Sequence, residues 1–232
     1  MPPLLPFETR QPTKILVNYL HGQGNLTMYD QIIRGIHVRE SENPPILIDM
    51  EQDGDFFFCK QFTSEFQLRR EVCDRIKAAQ KRLPSNYRFM LYEAFRPRAR
   101  QIELWDAILI QLRNEHPSWN EDQYIVEADK FVANPHGFGS GHQAAAAVDI
   151  TLCSDSGQEY DMGTKVQEFN PKTLTASNAI KPEEAERRAI MRQALEAQGI
   201  VNYPDEWWHF SYGDRLWAEI TGRERAFYAP VD

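Results

Sequence analysis

The sequence predicts a single α+β domain. Short apolar runs of strand length are interspersed with longer segments of helical period, and no regular strand-helix alternation marks a parallel α/β sheet. Neither an internal repeat nor a linker divides the 232 residues. With 42% hydrophobic residues, including 13 Phe, 9 Tyr and 5 Trp, the chain has material for one substantial core.

The first 60 residues read as irregular, with strand candidates at 15–20, 32–38 and 56–59. Ser64 and Gln67 have capping-box spacing, and Phe66, Val72, Ile76 and Leu83 follow at roughly helical intervals, so a helix is expected after Ser64. Pro84-Ser85-Asn86 ends it, and residues 87–92 then read as a buried strand. Pro97 suits the first turn of a helix carrying Ile102, Leu104, Trp105, Ile108 and Leu112, which His116-Pro117 stops. A helix over 121–132, a Gly-rich loop over 134–141 and a strand over 146–152 follow. Residues 154–157 form a turn and 169–181 a loop. Pro182-Glu183-Glu184 opens a helix with acids in its favourable first turn, ending near Gly199. Residues 207–212 read as a strand.

A formal net charge of −8 with no offsetting basic block excludes nucleic-acid binding as the leading expectation. Cys59, Cys73 and Cys153 have neither disulfide-framework nor zinc-cysteine spacing, which fits a reducing compartment. The Pro-rich start lacks a signal-peptide pattern, and no stretch reaches membrane-spanning length, so a soluble, cytoplasmic protein is expected. Oligomeric state is not legible.

Chemistry concentrates in two short segments. Ser140-Gly141-His142 leads into Val148-Asp149-Ile150, and later comes Glu206-Trp207-Trp208-His209. Together they supply two imidazoles, a carboxylate to bind a metal and a spare carboxylate, the inventory of a catalytic metal centre with an open position and a base. The odd spacing of His142 and Asp149 would put them on opposite faces of one strand, so His142 is placed in the loop and Asp149 on the strand. For this pair alone, a hydrogen-bonded core Asp and an unrelated loop His fit equally well. Glu206, held three residues before His209 beside Trp207, Trp208 and Phe210, shifts the balance, because apolar walls raise a carboxyl toward the pKa of a useful base. Arg96 follows a buried strand at the start of a helix, where cations are disfavoured unless an anion or a developing oxyanion compensates. His136 reads as loop surface, and the Gly137–Gly141 run lacks the Lys of a phosphate loop.

These segments, with the Phe95-Arg96-Pro97 run and Asp161-Met162-Gly163-Thr164, resemble the zinc D-alanyl-D-alanine dipeptidases of the vancomycin-resistance type, in the D,D-peptidase group that shares its fold with the Hedgehog signalling domain. The resemblance runs from about Tyr87 to Phe210. It implies a central antiparallel sheet flanked by helices, with residues 61–232 as catalytic core and 1–60 as a divergent extension packed on it. It implies one Zn2+ per chain on His142, Asp149 and His209, water in the fourth position, Glu206 as proton acceptor and donor, Arg96 at the oxyanion, and Ser140 seating a small peptide substrate. Two positions depart from the family pattern. Ala145 stands where the family has Gly, and Gln167, followed by Glu168, stands where an acid pairs with the substrate ammonium. Three functions are therefore carried forward: hydrolysis of D-Ala-D-Ala or a related D,D-dipeptide, a carboxypeptidase or endopeptidase acting on peptidoglycan stems, and a non-catalytic zinc-binding module.

Overall fold

A computed structural model describes residue 33, residues 35–39 and residues 45–231. The strands are β1 (His37–Val38), β2 (Leu47–Asp49), β3 (Phe57–Phe58), β4 (Gln67–Arg69), β5 (Arg88–Glu93), β6 (Ala147–Cys153), β7 (Val201–Asn202), β8 (His209–Ser211) and β9 (Arg225–Ala226). The helices are α1 (Arg70–Gln80), α2 (Arg98–Glu115), α3 (Glu121–Ala128), α4 (Pro182–Glu196) and α5 (Arg215–Ile220). The α+β expectation is met.

The central sheet has five strands in the order β3-β5-β6-β8-β7. It is antiparallel except at one edge, where β3 runs parallel to β5. The flanking pairs are β1 with β9 and β2 with β4. Strand β6 lies at the centre, and every one of its residues is buried. Its alternation sends Val148, Ile150 and Leu152 to one face, where they share a core with Val72, Cys73, Ile76 and Ala79 of α1 and Met191, Ala194 and Leu195 of α4. Asp149 therefore points to the opposite face.

Register decides what joins it there. Asp149 pairs with Glu93 of β5 on one side and with His209 of β8 on the other. Directly paired residues project to the same face of a sheet, so Glu93, Asp149 and His209 form one row across three strands. A register shift between Leu91 and Glu93 re-aims the end of β5 just before that row.

Several boundaries differ from the sequence reading. The Ser64–Gln67 box does not start a helix: Gln67–Arg69 pairs with β2, and α1 begins at Arg70. Phe66 and Leu68 are both fully buried, a period of two that the capping pattern obscured. Among the described residues of 32–38, Ile33 is helical and His37–Val38 is strand. The 15–20 candidate lies outside the described residues. The proposed extension contributes β3 to the central sheet itself, beyond packing against it. The helix expected over 121–132 stops at Ala128.

Candidate metal centre and its cavity

His142 sits in a tight turn entering β6, as strand parity requires. Gly141 makes the turn: its carbonyl accepts from both Ala146 N and Ala147 N. A Cβ there would lie 2.3 Å from Asp214 Oδ2 and 2.8 Å from the Ala147 Cβ, so the close approach needs glycine. Ala145 adopts φ +51, a left-handed conformation usually left to glycine, and its carbonyl accepts from Arg69 N. The added methyl is thus accommodated at a strained backbone position rather than avoided.

The turn brings three donors together. His142 Nδ1 donates to the Ala94 carbonyl at 2.7 Å, which sets the tautomer and leaves Nε2 as a candidate metal donor. Nε2 is 3.2 Å from His209 Nδ1 and 3.3 Å from Asp149 Oδ1, and His209 Nδ1 is 3.1 Å from that same oxygen. All three side chains are buried. One ligand atom from each lies within 4.8 Å of the others, a set that suits a divalent ion with one position open. Burial alone would raise Asp149, yet the two imidazoles hold its carboxyl well below the usual carboxylate range. Burial opposes charge on His142, and the Asp149 carboxylate overcomes that opposition and raises its pKa.

Glu206 approaches but does not join the ligand set, with Oε2 4.0 Å from His209 Nδ1 and a side chain 16% exposed. Burial pushes its carboxyl up to about 8; Asp149 and Asp205 reinforce this while His209 and Arg96 oppose it. Arg96 is gripped by Glu93, Nε to Oε1 at 2.7 Å and Nη2 to Oε2 at 2.5 Å, and Nη1 donates to Gln101 Oε1 at 2.9 Å. Those bonds use three of its five N–H groups, and Arg96 lines the cavity beside the donors. The ion pair leaves the guanidinium charged despite burial.

Glu93 and Gln101 are site-building residues that the sequence reading passed over. Glu93 carried a signal: an acid ending an otherwise apolar strand, three residues before Arg96.

Ser140 lines the same cavity, its Oγ accepting from Gln143 N at 3.1 Å. Gln167 also lines it, whereas Glu168 does not. Glu168 is exposed, and its carboxylate accepts from Lys165 N and Asn170 Nδ2, so the acid that follows Gln167 does not take its place in the cavity. His136 is exposed and outside the lining. The cavity measures about 270 Å3. Its apolar wall was expected from Trp207, Trp208 and Phe210, but these are core residues behind it. The wall comes instead from Leu104 and Ile108 of α2, Phe131 and Val132 after α3, Phe169 and Tyr203. Trp208 supports that wall at one remove, edge-on to Phe169 with ring centroids 5.7 Å apart.

Residues 67–226 match the peptidase M15 family, described as D-ala-D-ala dipeptidase. The chain belongs to this family. Its D-alanyl-D-alanine dipeptidase relatives include one from Synechocystis sp., 36% identical over 88 residues, which cover 33% of this chain and 36% of that protein. Another, from Escherichia coli, is 26% identical over 126 residues, covering 54% and 55%. The matched stretches thus span about a third to a half of those relatives. Among solved structures, VanYB in complex with D-Alanine-D-Alanine aligns with a TM-score of 0.47 at 15% identity, over 81% of this chain and 92% of that one. The LdcB LD-carboxypeptidase aligns with a TM-score of 0.46 at 20% identity, over 82% and 81%. No helix among the described residues of this M15 family member is long and apolar enough to cross a membrane.

Proposed function

We propose that the chain is a zinc-dependent peptidase that hydrolyses the amide of D-Ala-D-Ala or a closely related D,D-peptide, with one Zn2+ held by His142, Asp149 and His209. The observation that carries this reading is the convergence, in a member of the D-ala-D-ala dipeptidase family, of three metal donors, a raised carboxyl and a clamped guanidinium on one cavity. Two imidazoles and one carboxylate are a donor set suited to catalytic zinc. When bound, zinc supplies a Lewis acid and makes water nucleophilic near neutral pH.

The remaining chemistry belongs to the protein. Glu206 takes a proton from the attacking water and returns it to the departing amine; it lies beside the metal donors without joining them, as both roles require. Arg96 offers its remaining N–H groups to the oxyanion developing at the scissile carbonyl, and the Glu93 clamp holds the guanidinium in place before the reaction begins. Ser140 lines the same cavity and, in this reading, seats the peptide. The wall from α2 and the segment after α3 excludes water and favours a small, apolar substrate. A single domain over 1–232, with 61–232 as its catalytic core, and a cytoplasmic setting are part of this reading; the unpaired Cys59, Cys73 and Cys153 support the latter.

Glu206→Gln tests the assignment. The variant should keep stoichiometric zinc by elemental analysis and lose about 10²- to 10⁴-fold in turnover of D-Ala-D-Ala or its N-acyl form. Full zinc occupancy with no Glu206-dependent turnover of any D,D-peptide would leave a non-catalytic metal module as the correct reading.

A further inference from the structure

Gln167 occupies an unusual electrostatic position, between two buried carboxylates. Its Nε2 donates to Glu93 Oε2 at 2.8 Å and to Asp149 Oδ2 at 2.9 Å. Both protons of the amide are thereby used. The opposite orientation would set the amide oxygen against two carboxylate oxygens, so the network itself fixes which atom is which. What Gln167 has left to offer the cavity it lines is Oε1, which accepts no hydrogen bond from any described residue.

We infer that this oxygen reads the amino side of the substrate, and that the site takes D,D-peptides whose penultimate residue carries an acylated, neutral N–H in preference to the free dipeptide. The inference rests on the proposed D,D-peptidase function. A free ammonium entering here meets a neutral acceptor close to the Arg96 guanidinium and the metal position. The nearby carboxylates are already engaged: Glu93 holds Arg96 and Gln167, and Asp149 serves the imidazoles through Oδ1 and Gln167 through Oδ2. The ammonium would lose its hydration without a charged partner, whereas an amide N–H needs just one acceptor and carries no charge to desolvate. Asp129 and Glu206 are the other acids of the lining: Asp129 Oδ1 accepts from Asn134 N, and Glu206 is the base that meets the attacking water.

The test uses the zinc-loaded full chain with D-Ala-D-Ala and N-acetyl-D-Ala-D-Ala, following release of D-Ala. The acetylated substrate should show a kcat/KM at least about tenfold higher, the difference a charged and a neutral partner make at one hydrogen bond. Calorimetric binding to zinc-loaded Glu206→Gln, where turnover is suppressed, should show the same order. Gln167→Glu sets an oxygen against Glu93 and Asp149, so its zinc content is measured first; with zinc retained, both ratios should move toward the free dipeptide by about tenfold or more, and with zinc lost Gln167→Met decides. Gln167→Met, neutral and without an acceptor, should lose the acetylated preference without gaining the free dipeptide, at unchanged zinc content. A preference for the free dipeptide in binding and turnover overturns the inference, and its loss in Asp129→Asn would then assign the ammonium to Asp129. Ratios unmoved by either Gln167 variant overturn it as well. If neither peptide is hydrolysed in a zinc- and Glu206-dependent way, the functional reading fails, and the binding order still decides the role of Gln167.

Discussion

Glu206 shows how much one side chain's surroundings decide. The sequence places a carboxylate three residues before a ligand; burial in the fold makes it an acid that titrates near 8 without metal. Its folded pKa is raised above the unfolded value, so its contribution to stability is complete below the unfolded pKa and is lost as pH rises through about 8. Metal-free Glu206→Gln should therefore match the parent near pH 4 and melt higher than the parent near pH 9. Equal melting differences at both pH values would show that Glu206 titrates as an ordinary carboxyl. Gly141 offers a second test at this scale. Gly141→Ala drives a methyl into Asp214 Oδ2 and the Ala147 side chain, and should cost about 1–3 kcal/mol by denaturant unfolding, with zinc affinity falling as His142 is displaced. Glu93→Gln removes the charge opposite a buried guanidinium, a change worth about 3–5 kcal/mol when a buried pair is broken.

Among the elements, β5, β6 and β8 place the chemistry, while α2 and α3 shape its access. The helical pair has a small core of its own in Trp105, Leu112, Tyr124 and Ala128, separate from the main core beneath the sheet. Trp105→Ala should cost about 3–5 kcal/mol if the pair unfolds with the sheet. Because Leu104 and Ile108 on the same helix line the cavity, KM for the D,D-peptide should rise while zinc content stays unchanged. Helix α2 was legible from Pro97, its apolar spacing and the His116-Pro117 stop, since those signals are local. Strands β2 and β4 were not. Their pairing joins residues about twenty apart, and the two-residue period of Phe66 and Leu68 competed with a capping pattern that the pairing overrides.

For the molecule as a whole, the proposed metal site links binding to folding, because the three donors come together only when β6, β8 and the Gly141 turn have formed. Zinc in roughly thousandfold excess over its dissociation constant should add about 4 kcal/mol of stability. Asp149→Ala should abolish that gain in thermal melts with and without chelator. The sequence by itself determined the inventory of candidate donors, the loop-to-strand placement of His142 and Asp149, the separate position of Glu206 and the α+β class. These follow from residue type, strand parity and local breakers, all properties of near neighbours in the chain. Tertiary structure alone decided the row of Glu93, Asp149 and His209, the grip of Glu93 and Gln101 on Arg96, the cavity wall from α2, and the bridging of two carboxylates by Gln167. Each depends on strand register or on contacts between distant segments. Register is set by packing across the whole sheet, so no local pattern near Gln167 reveals that its amide protons are already engaged.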